Sequence, residues 1–239
     1  MRVQRAILTR VTCTATLVVV GLAGGVTTQD SNGIEDLPAN EIMEKAADAT
    51  KSADSLRLKG TTTSGPDEVL VDLALNEDGD CKGTIGPREN VTAEIIKVGD
   101  AAYLKGDETF WKEMESGSDE VDLLADQWLK VSAQSEGFED LAELCDADRL
   151  LQDIPDHPDP GLTKGKIHDV NDQPAIPVVR KDDGVTSTVD VATEGEPYIL
   201  RLSRTGGDEP ADLVMSDYNK PVNAEAPPAE DVLDIEDLQ

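Results

Sequence analysis

Aromatic residues are scarce in this chain: two Phe, two Trp and three Tyr make up 3% of its 239 residues, and hydrophobic residues of all kinds reach only 38%. Any core must therefore be built from Val, Leu, Ile and Ala. Histidine is scarcer still, with His157 held between Pro155 and Pro158 and His168 inside an alternating run. Neither sits beside a nucleophile motif. Gly-x-Ser-x-Gly and phosphate loops are absent, and Glu115-Ser-Gly-Ser-Asp119 lacks the lysine and strand context that phosphate binding needs. These shortages point away from an enzyme, and no catalytic residue is assigned.

Clustered Cys and His at zinc spacing are missing too. Asn76-Glu-Asp-Gly-Asp80 resembles part of a calcium loop but lacks the rest of the twelve-residue pattern and its terminal Glu, so it reads as a hairpin turn. Asp153–Asp159 and Asp182-Asp183 read as solvated loops. No metal and no cofactor is expected.

Positive charge is in short supply: 21 Lys and Arg face 50 Asp and Glu, a net charge of −29. Such a chain repels phosphate backbones, which excludes nucleic acid as a partner, and it does not dock on anionic membranes through a basic patch.

What is present begins with an address. Arg2, Arg5 and Arg10 precede an apolar run centred on Leu17, Val18, Val19, Val20, Leu22 and Ala23, with small residues after it and no acid before residue 26. This is the layout of a secretory signal over residues 1–25. The strictly apolar run is shorter than the roughly 20 residues of a membrane span, though an uncleaved N-terminal anchor stays open. Removing the signal takes the net charge to −32 and leaves about 214 residues, one large domain or two small ones. Cys13 leaves with the signal. Cys81 and Cys145 remain as an even pair in an oxidising compartment and are expected to form a disulfide, two buried thiols being the alternative.

Residues 26–36 read as a flexible polar tether, 37–235 as the folded domain and 236–239 as a tail. A helix is expected after Pro38, where Ile42, Met43, Ala46, Ala47 and Thr50 recur at helical spacing, ending near Lys51 to Ala53. The period then changes to two. Leu56, Leu58 and Thr61–Thr63 suggest a first strand, and Val69, Val71, Leu73 and Leu75 alternate with Leu70, Asp72, Ala74 and Asn76 in a second. Cys81–Ile85, Thr92–Val98, Ala101–Lys105, Phe110–Met114 and Gln127–Val131 continue the strands, with a loop at 115–120.

A second helix is expected from Phe138 toward Ile154, stopped by the proline-rich run at 155–161. Strands follow at Lys164–Val170, Ala175–Lys181, Val185–Val191, Tyr198–Arg204 and Leu213–Asp217, with a short one at Pro221–Ala226 and a helical turn or two in the acidic stretch Pro227–Gln239 around Val232, Leu233 and Leu238. Successive strands joined by tight turns make an antiparallel sheet and an α+β class. So many strands should curl, with the two or so helices on the concave side.

The ordered series Tyr103-Leu-Lys-Gly-Asp107, Phe110-Trp111, Trp128-Leu-Lys-Val131, Pro197-Tyr-Ile-Leu-Arg201, Met215-Ser-Asp-Tyr218, Pro221-Val222 and Ala226-Pro-Pro-Ala229 resembles the LppX/LprG-type envelope lipoproteins with a LolA-like half-barrel. The resemblance runs over roughly residues 37–235. It implies a strongly curved antiparallel sheet wrapped around helices, with a hydrophobic cavity that takes the acyl chains of a lipid or glycolipid. It implies no enzyme activity. No short binding motif carries ligand contacts over, so the lining candidates come from strand alternation alone: Val69, Val71, Leu73, Leu75, Ile96, Val98, Tyr103, Val189, Leu200 and Leu202. The alternative is a ligand-free interaction or sensor module that contacts another envelope protein. Periodicity does not distinguish a cavity from a filled core. In either case a monomer is expected.

The chain departs from this family at its lipobox. Leu22-Ala-Gly-Gly25 stands where Leu-Ala-Gly-Cys would carry the lipid anchor, and Gly25 has no thiol to acylate. An exported protein without a covalent anchor is therefore expected, extracellular or associated with the cell envelope. Intact-mass measurement of the exported protein should find a chain that begins at unmodified Val26. A retained residue 1–25 segment would overturn this.

Overall fold

The computed structural model describes residues 31–64, 67–114, 121–132, 145–146 and 161–234. The signal region, most of the expected second helix, His157 and the extreme tail lie outside the described residues.

Helix α1, Ala39–Lys51, forms where the 3.6-residue period is strongest. Pro38 precedes it, Glu41 lies in its first turn and Lys51 in its last, each placed favourably for the helix dipole. Ile42, Met43, Ala46, Ala47 and Thr50 are its buried residues. They form one stripe, and the two alanines let the helix approach the sheet closely. Residues 31–36, within the stretch whose polarity reads as a tether, are docked in the structure. The Asn32 N–H donates to the Thr193 carbonyl at 2.8 Å, and Ile34 is 3% exposed.

Among the described residues, thirteen strands make one open, curved sheet: β1 Ser55–Ser64, β2 Asp67–Asn76, β3 Cys81–Arg88, β4 Val91–Val98, β5 Ala101–Gly106, β6 Trp128–Ser132, β7 Thr163–Lys164, β8 His168–Val170, β9 Gln173–Asp182, β10 Val185–Ala192, β11 Ile199–Thr205, β12 Ala211–Ser216 and β13 Val232–Asp234. The spatial order is β13-β6-β5-β4-β3-β2-β1-β12-β11-β10-β9-β7, with β8 also on β9. Every described pairing is antiparallel except β13 with β6. Two hairpins turn on consecutive left-handed residues, Asn171-Asp172 (φ 49° and 63°) and Asp183-Gly184 (φ 44° and 85°). That geometry matches the right-handed twist of the flanking strands.

The sheet is closely coiled at two glycines. A side chain on Gly60 would lie 1.9 Å from the Asp212 carbonyl oxygen, and one on Gly83 would lie 1.9 Å from that of Asp72. No other residue fits there without moving the neighbouring strand.

Four sequence expectations are corrected. Phe110–Met114 is not a strand but part of helix α2, Glu108–Met114. The Asp107 carboxylate caps that helix by accepting the Phe110 N–H at 2.7 Å, a local bond that outweighs the aromatic strand propensity. A short helix α3, Val121–Leu124, follows. The run at 164–170 is two strands, β7 and β8. Pro177 on β9 has no N–H to offer that edge, and its carbonyl accepts the Gly165 N–H at 2.8 Å, so the ladder breaks there. Pro221–Ala226 is not a strand but an extended strap, tied down where Lys82 Nζ donates to the Asn223 carbonyl at 2.8 Å. Val232 and Leu233, expected in a helical turn, instead form β13 and close the exposed edge of β6.

Cys81 and Cys145 are joined by a disulfide and are both 0% exposed. Closing a loop of 64 residues restricts the unfolded chain. The Cys81→Ala, Cys145→Ala double variant should lose about 3–5 kcal/mol in denaturant unfolding. An unchanged midpoint would show that the bridge does not constrain the unfolded state.

Candidate functional site: an apolar strip between the helices

Helices α1 and α2 define the inner face of the sheet. Cross-strand register carries one row of small and aliphatic residues along it through nine strands: Gly106, Ala93, Ile85, Val71, Gly60, Leu213, Leu202, Val189 and Val178. The two ends of the row are sealed. Phe110 and Trp111 of α2 pack edge to face at 5.1 Å and cover the β4–β5 side, where the Trp111 indole N–H donates to the Gly106 carbonyl at 3.1 Å. The residues buried from α1 pack in the same cluster as Ile176, Val178, Val191 and Ile199.

Between these two covers Ile85 and Val71 are buried, while the row from Gly60 to Val189 is only half-buried. Val69, Val189, Leu202 and Leu213 pack against the core from one side, and Gly60 adds no side chain in their midst. This strip is the candidate functional site. It is aliphatic throughout, and none of its members can titrate.

The structure sorts the ten lining candidates into three groups. Val69, Val71, Leu73, Leu75, Val189 and Leu202 lie on the inner face, with Leu73 and Leu75 sealed in the core at 0% exposure. Ile96, Val98 and Tyr103 lie on the outer face, because Ile96 pairs with Tyr103 while the neighbouring pair Ile95 and Leu104 points inward. Leu200 also faces outward, packing with Val170, Ala175 and Ala192. Its strand alternates as expected up to a bulge. Asp190 pairs with Arg201 but Val191 pairs with Ile199, so Leu200 is the extra residue and is turned to the other face. Leu213 was missed, although its alternation with Met215 was a usable signal. Val98 instead borders a depression of about 340 Å³ at the sheet edge, shared with Asp100, Ala101, Lys130, Val131, Ser132 and Asp234.

At the bulge end, α1 and the sheet are joined by a polar clamp. The Ile199 N–H donates to Thr50 Oγ1 at 3.0 Å, and the Tyr218 hydroxyl donates to the Ile199 carbonyl. Tyr198 stacks on Tyr218 with ring centres 4.0 Å apart. Burial raises the Tyr218 hydroxyl pKa above its ordinary range, so it stays protonated and can remain a donor.

No protein-family profile matches the sequence, and no characterised protein is detectably similar to it. Solved structures are similar in fold. LprF from Mycobacterium bovis superposes with a TM-score of 0.56 at 13% identity, covering 79% of this chain and 96% of that one. The Mycobacterium tuberculosis lipoprotein LppX superposes with a TM-score of 0.51 at 17% identity, covering 77% and 97%. The chain therefore has the open, curved sheet with few helices seen in LprF and LppX.

His168, the one described histidine, serves no strip residue. Its Nε2 lies 3.3 Å from Asp190 Oδ1 on the outer face, while Arg201 binds Asp212 with two bonds of 2.6 and 2.5 Å. Among the described residues no group of three or more Cys, His, Asp or Glu could hold a metal. The Asp190 side chain is 3% exposed. Burial raises its pKa above the usual carboxylate value, and the nearby charges of His168 and Arg201 offset this only in part. A carboxyl whose pKa is raised by folding stabilises most below its unfolded pKa of about 4 and loses that contribution as pH rises through the folded value. Urea unfolding of Asp190→Asn should therefore shift in the variant's favour, relative to the natural protein, between about pH 4 and pH 7. The opposite trend would mean that the pairing with His168 outweighs the desolvation.

Proposed function

We propose that this chain is an exported, non-enzymatic carrier that binds the acyl chains of a lipid or glycolipid on the inner face of its sheet. The observation that carries this reading is the half-buried aliphatic strip of Val69, Val189, Leu202 and Leu213, left between α1 and α2 on a fold shared with LprF and LppX. Each methylene buried there contributes roughly 0.8 kcal/mol, so chains of modest length bind without any polar contact. On this reading residues 1–25 direct export, 37–235 form the carrier domain, and the protein acts as a monomer in the extracellular medium or cell envelope. Binding is non-covalent, because no residue of the strip is a nucleophile. Among the described residues no helix is long and apolar enough to cross a membrane.

Solvent extraction of the purified protein followed by mass spectrometry should recover acyl lipid. Leu202→Glu should lower the amount about tenfold or more, because a carboxylate in the strip must be desolvated when a chain covers it. If no lipid co-purifies and none can be loaded, the carrier reading fails and a ligand-free interaction module takes its place.

A further inference from the structure

One residue pair along each strand from the apolar strip, the same face becomes cationic. Arg180 on β9, Ser187 on β10 and Arg204 on β11 form a single cross-strand row, next to the row of Val178, Val189 and Leu202. Two residues of strand separate the rows, about 7 Å. The cationic row continues to Ala211 on β12 and contains no carboxylate, in a chain where acids outnumber bases 50 to 21. Both arginines are exposed and already engaged: Arg180 lies 3.3 Å from Asp182, and Arg204 lies 3.1 Å from Glu209. These are solvent-exposed ion pairs, each weak enough to exchange for a stronger acceptor. A phosphate is such an acceptor, because its oxygens accept two parallel bonds from one guanidinium and can bridge two.

We infer that the strip takes an anionic phospholipid, its acyl chains on Val189, Leu202 and Leu213 and its phosphate at the Arg180–Ser187–Arg204 row. This rests on the carrier reading above and adds the headgroup to it. Charge complementarity is the argument. The net charge of −29 opposes an anion elsewhere on this surface, and this row is where the strip meets two cations that flank Ser187, one on each neighbouring strand. A zwitterionic headgroup gains less, because its own cation must be kept near the arginines.

The delipidated full-length protein, mixed with equal amounts of detergent-dispersed phosphatidylglycerol and phosphatidylcholine bearing the same acyl chains, can be freed of detergent and its retained lipid counted by native mass spectrometry. Phosphatidylglycerol should be retained in about tenfold excess. The excess should shrink as salt is raised. The Arg180→Gln, Arg204→Gln double variant, checked by circular dichroism for an unchanged fold, should bring the ratio close to one. Arg57→Gln on the outer face should leave it high. Equal retention of both lipids by the natural protein, or an excess that survives the double variant, overturns the headgroup assignment while the carrier reading stands. Retention of neither lipid removes both.

Discussion

Everything in this molecule hangs on cross-strand register. A side chain's face in a sheet is set by counting in twos, so one apolar row can run through nine strands only if each pairing keeps step with the last. From Gly106 on β5 to Val178 on β9 it does. The step is held by tight two-residue turns between neighbouring strands, and by glycines such as Gly60 and Gly83 where the backbones press together. Aromatic packing could not do this work in a chain with seven aromatic residues. The core is instead a surface of branched aliphatic side chains held in line.

Among the described residues, two helices cover such a surface only in part, and the proposed function rests on that shortfall. Short α2 spends its Phe and Trp on the β4–β5 side. Helix α1 lies over β9 to β11, fixed at its C-terminal end by Thr50 and the Tyr218 hydroxyl. On the same face, Gly60, Val69, Val189, Leu202 and Leu213 stay half-buried. The disulfide, the C-terminal strap and the Lys130–Asp234 ion pair beside β13 all brace the β3–β6 part of the sheet.

The fold was largely legible because its strands are long and strictly periodic. Val69 to Leu75 could be nothing but a half-buried strand, and α1 was visible to within a residue or two from its apolar stripe and the proline before it. The misreadings have a common origin in contacts between residues close in sequence or far apart in it. Phe110 and Trp111 carry strand propensity, but Asp107 three residues upstream of Phe110 caps a helix. Val232 and Leu233 look like a loose helical turn because β6, which they pair with, lies more than 100 residues away. The lining candidates fared unevenly for the same reason. Val69, Val71, Val189 and Leu202 share the inner face with the core. Leu200, two residues from Leu202, does not, because one bulge resets the count.

The sequence by itself determined the composition of the core, the alternation of its strands, the first helix, the cysteine pair and the overwhelming negative charge, since each depends on residue type and short-range period. Tertiary structure alone decided which of two alternating faces is inner, which residues of that face stay half-buried, and that two arginines from β9 and β11 of an acidic chain flank Ser187 at its edge. Period two names two faces but does not say which one the helices will take. A residue's neighbours across the sheet come from strands whose order the chain reveals only when it folds.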